Sequence, residues 1–127
     1  MNKTIAITGI LLILCGIILG AFGAHALKDL VSTSKLASFE TGVRYQLLQG
    51  MGLLIIGLQS SLSFSLKIFY RLMLVGTLLF SFSIYLLTFS EVTNIPTKLI
   101  GPITPIGGLL MICAWLHLVF KMIRSTT

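Results

Sequence analysis

His25, Arg44, Gln46, Gln49, Tyr85 and Thr104 are the side chains best placed to do chemistry in a chain that is otherwise largely apolar. Imidazole can hand on a proton near neutral pH. A guanidinium binds carboxylate or phosphate, and the amide and hydroxyl groups bond across helix interfaces. Each also has a plainer use. Arg44 can snorkel to lipid headgroups and pair with Glu40 one turn earlier. His25 can be an interfacial hydrogen-bonding residue. Gln46 and Gln49 cannot both point the same way as Arg44, so inter-helix bonding is their expected use. Tyr45 and Tyr85 suit an aromatic belt, and Ser81 and Ser83 can bond their own helix's carbonyls.

Catalytic constellations are missing from the sequence. No carboxylate lies inside a long apolar run, so neither paired-acid catalysis nor a carboxylate proton relay is expected there. A Ser-His-Asp arrangement would need Asp29 beside His25, with no nucleophile to complete it. Phosphate-binding glycine loops are absent. Cys15 and Cys113 stand singly in apolar runs, without metal-ligand spacing, and are read as packing residues. No cofactor, no metal and no enzymatic activity is therefore expected.

The elements that must position these groups follow from composition. Nine Lys or Arg and three Asp or Glu are too few charges to cover a water-facing surface of 127 residues, and mean hydropathy is +1.05. The net charge of +6 does not gather into a nucleic-acid patch, because the basic residues sit at the edges of apolar runs. About 20 apolar residues span a bilayer as a helix, and four runs are long enough. Spans are expected over about 4–27, 44–66, 70–90 and 99–120. The fold class is thus an all-α membrane protein, a four-transmembrane-helix bundle forming a single domain over 1–127. Leu36, Phe39, Val43 and Leu47 recur at helical spacing. Residues 34–43 are read as a short interfacial helix between spans one and two, or as an early start of span two. Lys3, an apolar stretch and Ala24-His25-Ala26 resemble a cleavable signal sequence, but Ile5 to Phe22 exceeds the usual length of about 7–15 residues.

Depth along these spans groups the polar side chains. With one membrane boundary near Leu27, Arg44, Ser90 and Leu99, a rise of about 1.5 Å per residue puts Gln49, Tyr85 and Thr104 roughly 7–8 Å inside. His25 and Gln46 lie roughly 3 Å inside. The expectation is one hydrogen-bonded cluster of His25, Gln49, Tyr85 and Thr104 in the outer half, with Arg44 and Gln46 on its rim. Gly16, Gly20 and Ala24 form a small-residue face for close helix packing, as do Gly107 and Gly108. Pro105 restricts Thr104, so the last helix is expected to start near Pro105 with Thr104 as N-cap. Trp115, His117 and Lys121 mark the opposite interface. Five basic residues (Lys3, Lys67, Arg71, Lys121, Arg124) against four (Lys28, Lys35, Arg44, Lys98) put both termini on the cytoplasmic side.

Four segments occur in order, one per span: GAFGAHAL at 20–27, TGVRYQ at 41–46, FSFSIYLL at 80–87 and ITPIGGLL at 103–110. Together they resemble the YgdD/YwdK-like family of small bacterial inner-membrane proteins, a domain of unknown function, over nearly the whole chain. The resemblance implies a multi-pass protein of the bacterial plasma membrane and carries over no catalytic residues. Two positions depart from the family pattern, Gln49 where a His is common and Phe82 where a Gly is usual. The first argues against an indispensable proton-carrying or metal-binding His. The second implies different packing around span three.

The expected function is that of a non-enzymatic membrane protein that binds membrane lipids or another membrane protein, with a homo-oligomer as one form of partner and no nucleic acid. The competing reading is a small carrier or channel that uses the outer polar cluster as its entry site.

Overall fold

The computed structural model describes residues 1–125. Four long helices account for most of them: α1 (Lys3–His25), α2 (Thr33–Leu58), α3 (Lys67–Thr93) and, after the one-turn α4 (Thr97–Ile100), α5 (Ile103–Ser125). No strand occurs among the described residues. Three segments are long and apolar enough to cross a membrane: Lys3–His25, Lys67–Thr93 and Thr97–Ser125. α2 is not among these, since Arg44, Gln46 and Gln49 interrupt its apolar half.

Local chemistry sets the helix ends. Asn2 caps α1 by accepting from the Ile5 amide at 3.2 Å, and Ser32 caps α2 by accepting from the Lys35 amide at 3.4 Å. Asn94 closes α3 in the left-handed conformation, φ 53°, which a short amide side chain tolerates. The serine-rich stretch 59–66 competes for backbone hydrogen bonds and leaves α2 unextended.

Three expected boundaries are corrected by these signals. Span two was placed at 44–66, but its helix runs Thr33–Leu58, because the Ser32 cap and the stripe of Leu36, Phe39, Val43 and Leu47 carry it straight through Arg44. No separate interfacial helix lies before it; only a 3₁₀ turn, Leu27–Asp29, separates α1 from α2. The last helix starts at Ile103, not near Pro105. Proline fits its first turn because amides there have no intrahelical partner to lose.

The helices run up and down, pairing α1 with α2 and α3 with α5, and α2 packs on α3 to join the pairs. Both outer seams bring backbone against backbone. A Cβ on Gly9 would fall 2.5 Å from the Leu54 nitrogen, and one on Gly57 would fall 2.5 Å from the Ala6 nitrogen. In the other seam, a Cβ on Gly107 would strike the Phe80 nitrogen and lie 2.8 Å from the Gly76 carbonyl oxygen. Only glycine permits such approach.

The expected small-residue faces therefore need adjustment. Gly16 is buried against the Leu47 side chain, but Gly20 is looser, with a Cβ there meeting Val43 Cγ1 at 3.4 Å, and Ala24 is exposed. Gly107 packs on backbone, whereas its neighbour Gly108 meets only the Phe80 ring at 3.6 Å. The stripe continues towards the chain start through Gly9 and Ala6, where the helices are closest.

Two apolar clusters fill the interior. Ile5, Leu53, Phe69, Met73, Met111 and Ala114 pack towards the end that holds the termini. Leu27, Phe39, Val43 and Tyr85 pack towards the other end, which holds His25. Large apolar side chains cover the outside as well, Ile10, Leu14, Ile17, Met51, Ile55, Ile106, Leu109 and Leu116 among them. Such an exterior suits lipid, not water.

Candidate functional site: polar side chains between and beside the helices

Gln46 sits on the buried face of α2, between the two apolar clusters. Its Nε2 donates to the Leu12 carbonyl of α1 at 2.9 Å, and its Oε1 accepts from the Tyr85 hydroxyl of α3 at 2.7 Å. Two glycines make room. Gly16, one turn after Leu12, leaves that carbonyl uncovered, and a Cβ on Gly42 would crowd Tyr85 Cε1 at 2.9 Å. The Tyr85 ring leans on Phe39 with centroids 5.0 Å apart. One chain of bonds thus crosses three helices.

Further bonds tie the remaining faces. Ser81 donates to the Gly42 carbonyl at 2.8 Å. Ser83 donates to its own helix at Phe80, so its 2.6 Å contact with Thr104 of α5 has the threonine as donor. The Trp115 indole N–H donates to Gln49 Oε1 at 2.9 Å, its ring lying where Gly52 has no side chain. Near the termini, Thr8 of α1 meets the Tyr70 hydroxyl of α3 at 3.0 Å. His117 Nε2 is the one buried side-chain polar atom among the described residues without a partner.

The expected single cluster is therefore divided. Gln49, Tyr85 and Thr104 each bond to a different partner, Trp115, Gln46 and Ser83 respectively, and not to one another. His25 is exposed at the last turn of α1 and does not join them. Gln46, assigned to the rim, is the most buried of the set at 3% exposure. The physical reason is the earlier start of α2. Arg44 lies eleven residues beyond Thr33 (44 minus 33), about 16 Å along the helix, and so cannot mark its entry into the bundle. Trp115 bonds to Gln49, and Ser81 bonds across a helix seam instead of to its own turn.

Two surface features remain open at the His25 end. A cleft of about 370 Å³ between α2, α3 and α5 is lined by Lys35, Ser38, Thr41, Thr88, Gly101 and Thr104. The Lys35 ammonium is already engaged there, donating to the Leu87 carbonyl at 3.1 Å. A groove of about 270 Å³ between α1 and α2 is lined by Gly20, Phe39, Glu40, Val43, Arg44 and Leu47. Arg44 and Glu40 are both exposed, and no ion pair joins them. No group of three or more His, Cys, Asp or Glu comes together among the described residues.

The sequence matches a family described as "Protein of unknown function (DUF423)" over residues 19–108. Similar proteins cover almost the full chain. A UPF0382 membrane protein of Staphylococcus haemolyticus is 36% identical, with 96% of this chain and 97% of the relative aligned. The UPF0382 membrane protein YwdK of Bacillus subtilis is 33% identical, with 96% and 98% aligned. A UPF0382 membrane protein of Haemophilus influenzae is 34% identical, with 98% and 96% aligned. No solved structure gives a significant match. The family match takes in the Gly20–Leu27 segment, the whole of α2 and α3, and the start of α5, and on it this chain belongs to the DUF423 family of proteins, with bacterial membrane proteins as its relatives.

Proposed function

We propose that this protein is a non-enzymatic, four-span protein of the bacterial plasma membrane that works by binding lipid on the outside of its helix bundle. The observation that carries the reading is how its polar groups are divided. Gln46, Gln49, Tyr85, Ser81, Ser83 and Thr104 spend their hydrogen bonds holding helices together. Arg44 and Glu40, which could still take a ligand, lie on the outer surface. A transport path would need hydratable groups along the interior, and among the described residues the buried side-chain polar atoms other than His117 Nε2 are already partnered.

α2 serves as the fourth span in this reading. Its two glutamines face inward, and beyond Arg44 its exposed large side chains are Tyr45, Leu48, Met51, Ile55 and Leu58. Of the three residues that lower the hydropathy of α2, Gln46 and Gln49 thus face away from lipid and only Arg44 stands on the outer surface. Both termini and the 59–66 turn then share one side, the cytoplasm. Reporters inserted at Ser32 and at Ser61, on either side of α2, are expected to be active in opposite compartments. Activity of both on the same side would remove α2 as a span.

The carrier reading draws on the 370 Å³ cleft, which opens at the His25 end and is rich in hydroxyls. Lys35 bonded to Leu87 and Thr104 bonded to Ser83 close its inner wall. Purified protein is expected to retain phospholipid through detergent exchange, and proteoliposomes to show no solute flux above empty vesicles. Flux abolished by a bulky Thr104 substitution would favour the carrier instead.

A further inference from the structure

We propose that the groove between α1 and α2 holds one phospholipid whose headgroup carries both a phosphate and a primary ammonium, with the phosphate on Arg44 and the ammonium on Glu40. The proposal rests on the lipid-binding reading and names the lipid class. Its warrant is a pair of opposite charges that the chain leaves to an outside partner. Arg44 and Glu40 are exposed, four residues apart on one face of α2, and not paired to each other. A guanidinium beside apolar walls needs an anion, and a carboxylate there needs a cation or N–H donors.

Level and order both fit a headgroup. Arg44 shares the groove with Gly20, five residues (25 minus 20) before the last residue of α1, so it lies about 7–8 Å from that helix end. Helical side chains lean towards the N-terminus, which for α2 is the His25 end, so Arg44 reaches towards the membrane surface. Glu40 is one turn further out, about 6 Å along the axis. Leu47 walls the groove one turn below Arg44, Val43 stands between the two charges and Phe39 beside Glu40, and Gly20 leaves its floor open. From the hydrocarbon outward the groove therefore offers apolar wall, cation, anion. An aminophospholipid presents acyl chain, phosphate, ammonium in the same order.

The match discriminates among common lipids. Phosphatidylglycerol brings an anion and no cation, so its phosphate would meet Arg44 with Glu40 unanswered and repelling. Phosphatidylcholine has the charges, but its quaternary ammonium lacks an N–H to give the carboxylate. Neither reproduces both contacts.

The test uses the full-length protein, stripped of lipid in mild detergent and mixed with phosphatidylethanolamine, phosphatidylglycerol or phosphatidylcholine of equal chain length. Bound lipid is counted by native mass spectrometry. Phosphatidylethanolamine is expected to bind about tenfold more tightly than the other two. Glu40→Gln should erase that preference, Arg44→Gln should weaken all three, and Arg44→Lys should keep most of the binding. Gly20→Leu, which fills the floor without touching either charge, should also exclude every lipid and covers the case of a charge variant that fails to fold. Equal retention of the three lipids, or a preference for phosphatidylglycerol, overturns this proposal and leaves the lipid-binding reading standing. Retention of none overturns both. A dimer that dissociates on Arg44→Gln also overturns it, by giving the guanidinium a carboxylate from a second copy.

Discussion

Gly107→Ala is expected to lower the unfolding temperature of the detergent-solubilised protein markedly, and Gly108→Ala to leave it unchanged or slightly raised. The two positions are adjacent, on one helix, and receive the same methyl group. At 107 that methyl collides with the Phe80 backbone nitrogen and lies 2.8 Å from the Gly76 carbonyl oxygen. Backbone inside two helices cannot step aside, so α3 and α5 must separate along their whole seam. Overpacking of this kind costs about 1–3 kcal/mol, and more when neither side can yield. At 108 the methyl meets the edge of the Phe80 ring at 3.6 Å, an ordinary contact. There the better helix propensity of alanine, up to about 1 kcal/mol, acts alone. Gly9 and Gly57 are expected to behave like Gly107 for the same reason. Equal melting of the 107 and 108 variants would show that the α3–α5 seam is wider than described.

Gln46→Leu is the second large loss. The substitution keeps the volume and removes both polar atoms, leaving the buried Tyr85 hydroxyl without its acceptor and the α1–α2–α3 bridge broken. An orphaned buried donor costs about 1–3 kcal/mol. Tyr85→Phe alone should cost less, because Gln46 keeps its bond to Leu12. The double variant removes both partners of the 2.7 Å bond and should be more stable than the sum of the single losses predicts. Across helices in a membrane such couplings average about 0.6 kcal/mol. Chemical denaturation in mixed micelles of the four proteins measures the term directly. Strict additivity would mean that the hydroxyl finds another partner.

Much of the fold can be read from the sequence, and the misreadings have specific causes. All-helical architecture follows from apolar run lengths alone, because lipid admits few alternatives for so short a chain. The start of α2 is legible only as one of two readings of residues 34–43, the early start of span two. A membrane border placed at Arg44 favours the other, but a long side chain can sit on a lipid-facing surface and reach outward, so the helix passes it by. That single displacement moved every depth on α2 and merged into one cluster groups that the structure keeps apart. Gln49 illustrates the second obstacle. Its partner, Trp115, lies 66 residues away on a helix that touches α2 only through side chains. Depth along a helix can be counted from sequence; rotation about the axis cannot. The glycines were half legible. Gly107 and Gly16 were singled out by spacing, but Gly9, Gly50, Gly57 and Gly76 make close approaches that depend on which residue stands opposite.

The unequal seams have a mechanical meaning. α1 with α2, and α3 with α5, touch through backbone, which can neither rotate nor shorten, so each pair behaves as a stiff plate. Between the plates, α2 and α3 meet through side chains: Ser81 on the Gly42 carbonyl, the Tyr85 hydroxyl on Gln46, and the Tyr85 ring over Gly42. Side chains can change rotamer, and hydrogen bonds can be exchanged at modest cost. The compliant line of the molecule therefore runs along α2 and α3, and bending there would tilt one plate against the other with both glycine seams intact. Force applied by a thinner or more curved bilayer would be taken up first at the side-chain hydrogen bonds that join the plates, these two together with Trp115 to Gln49, Thr8 with Tyr70 and Lys35 to Leu87.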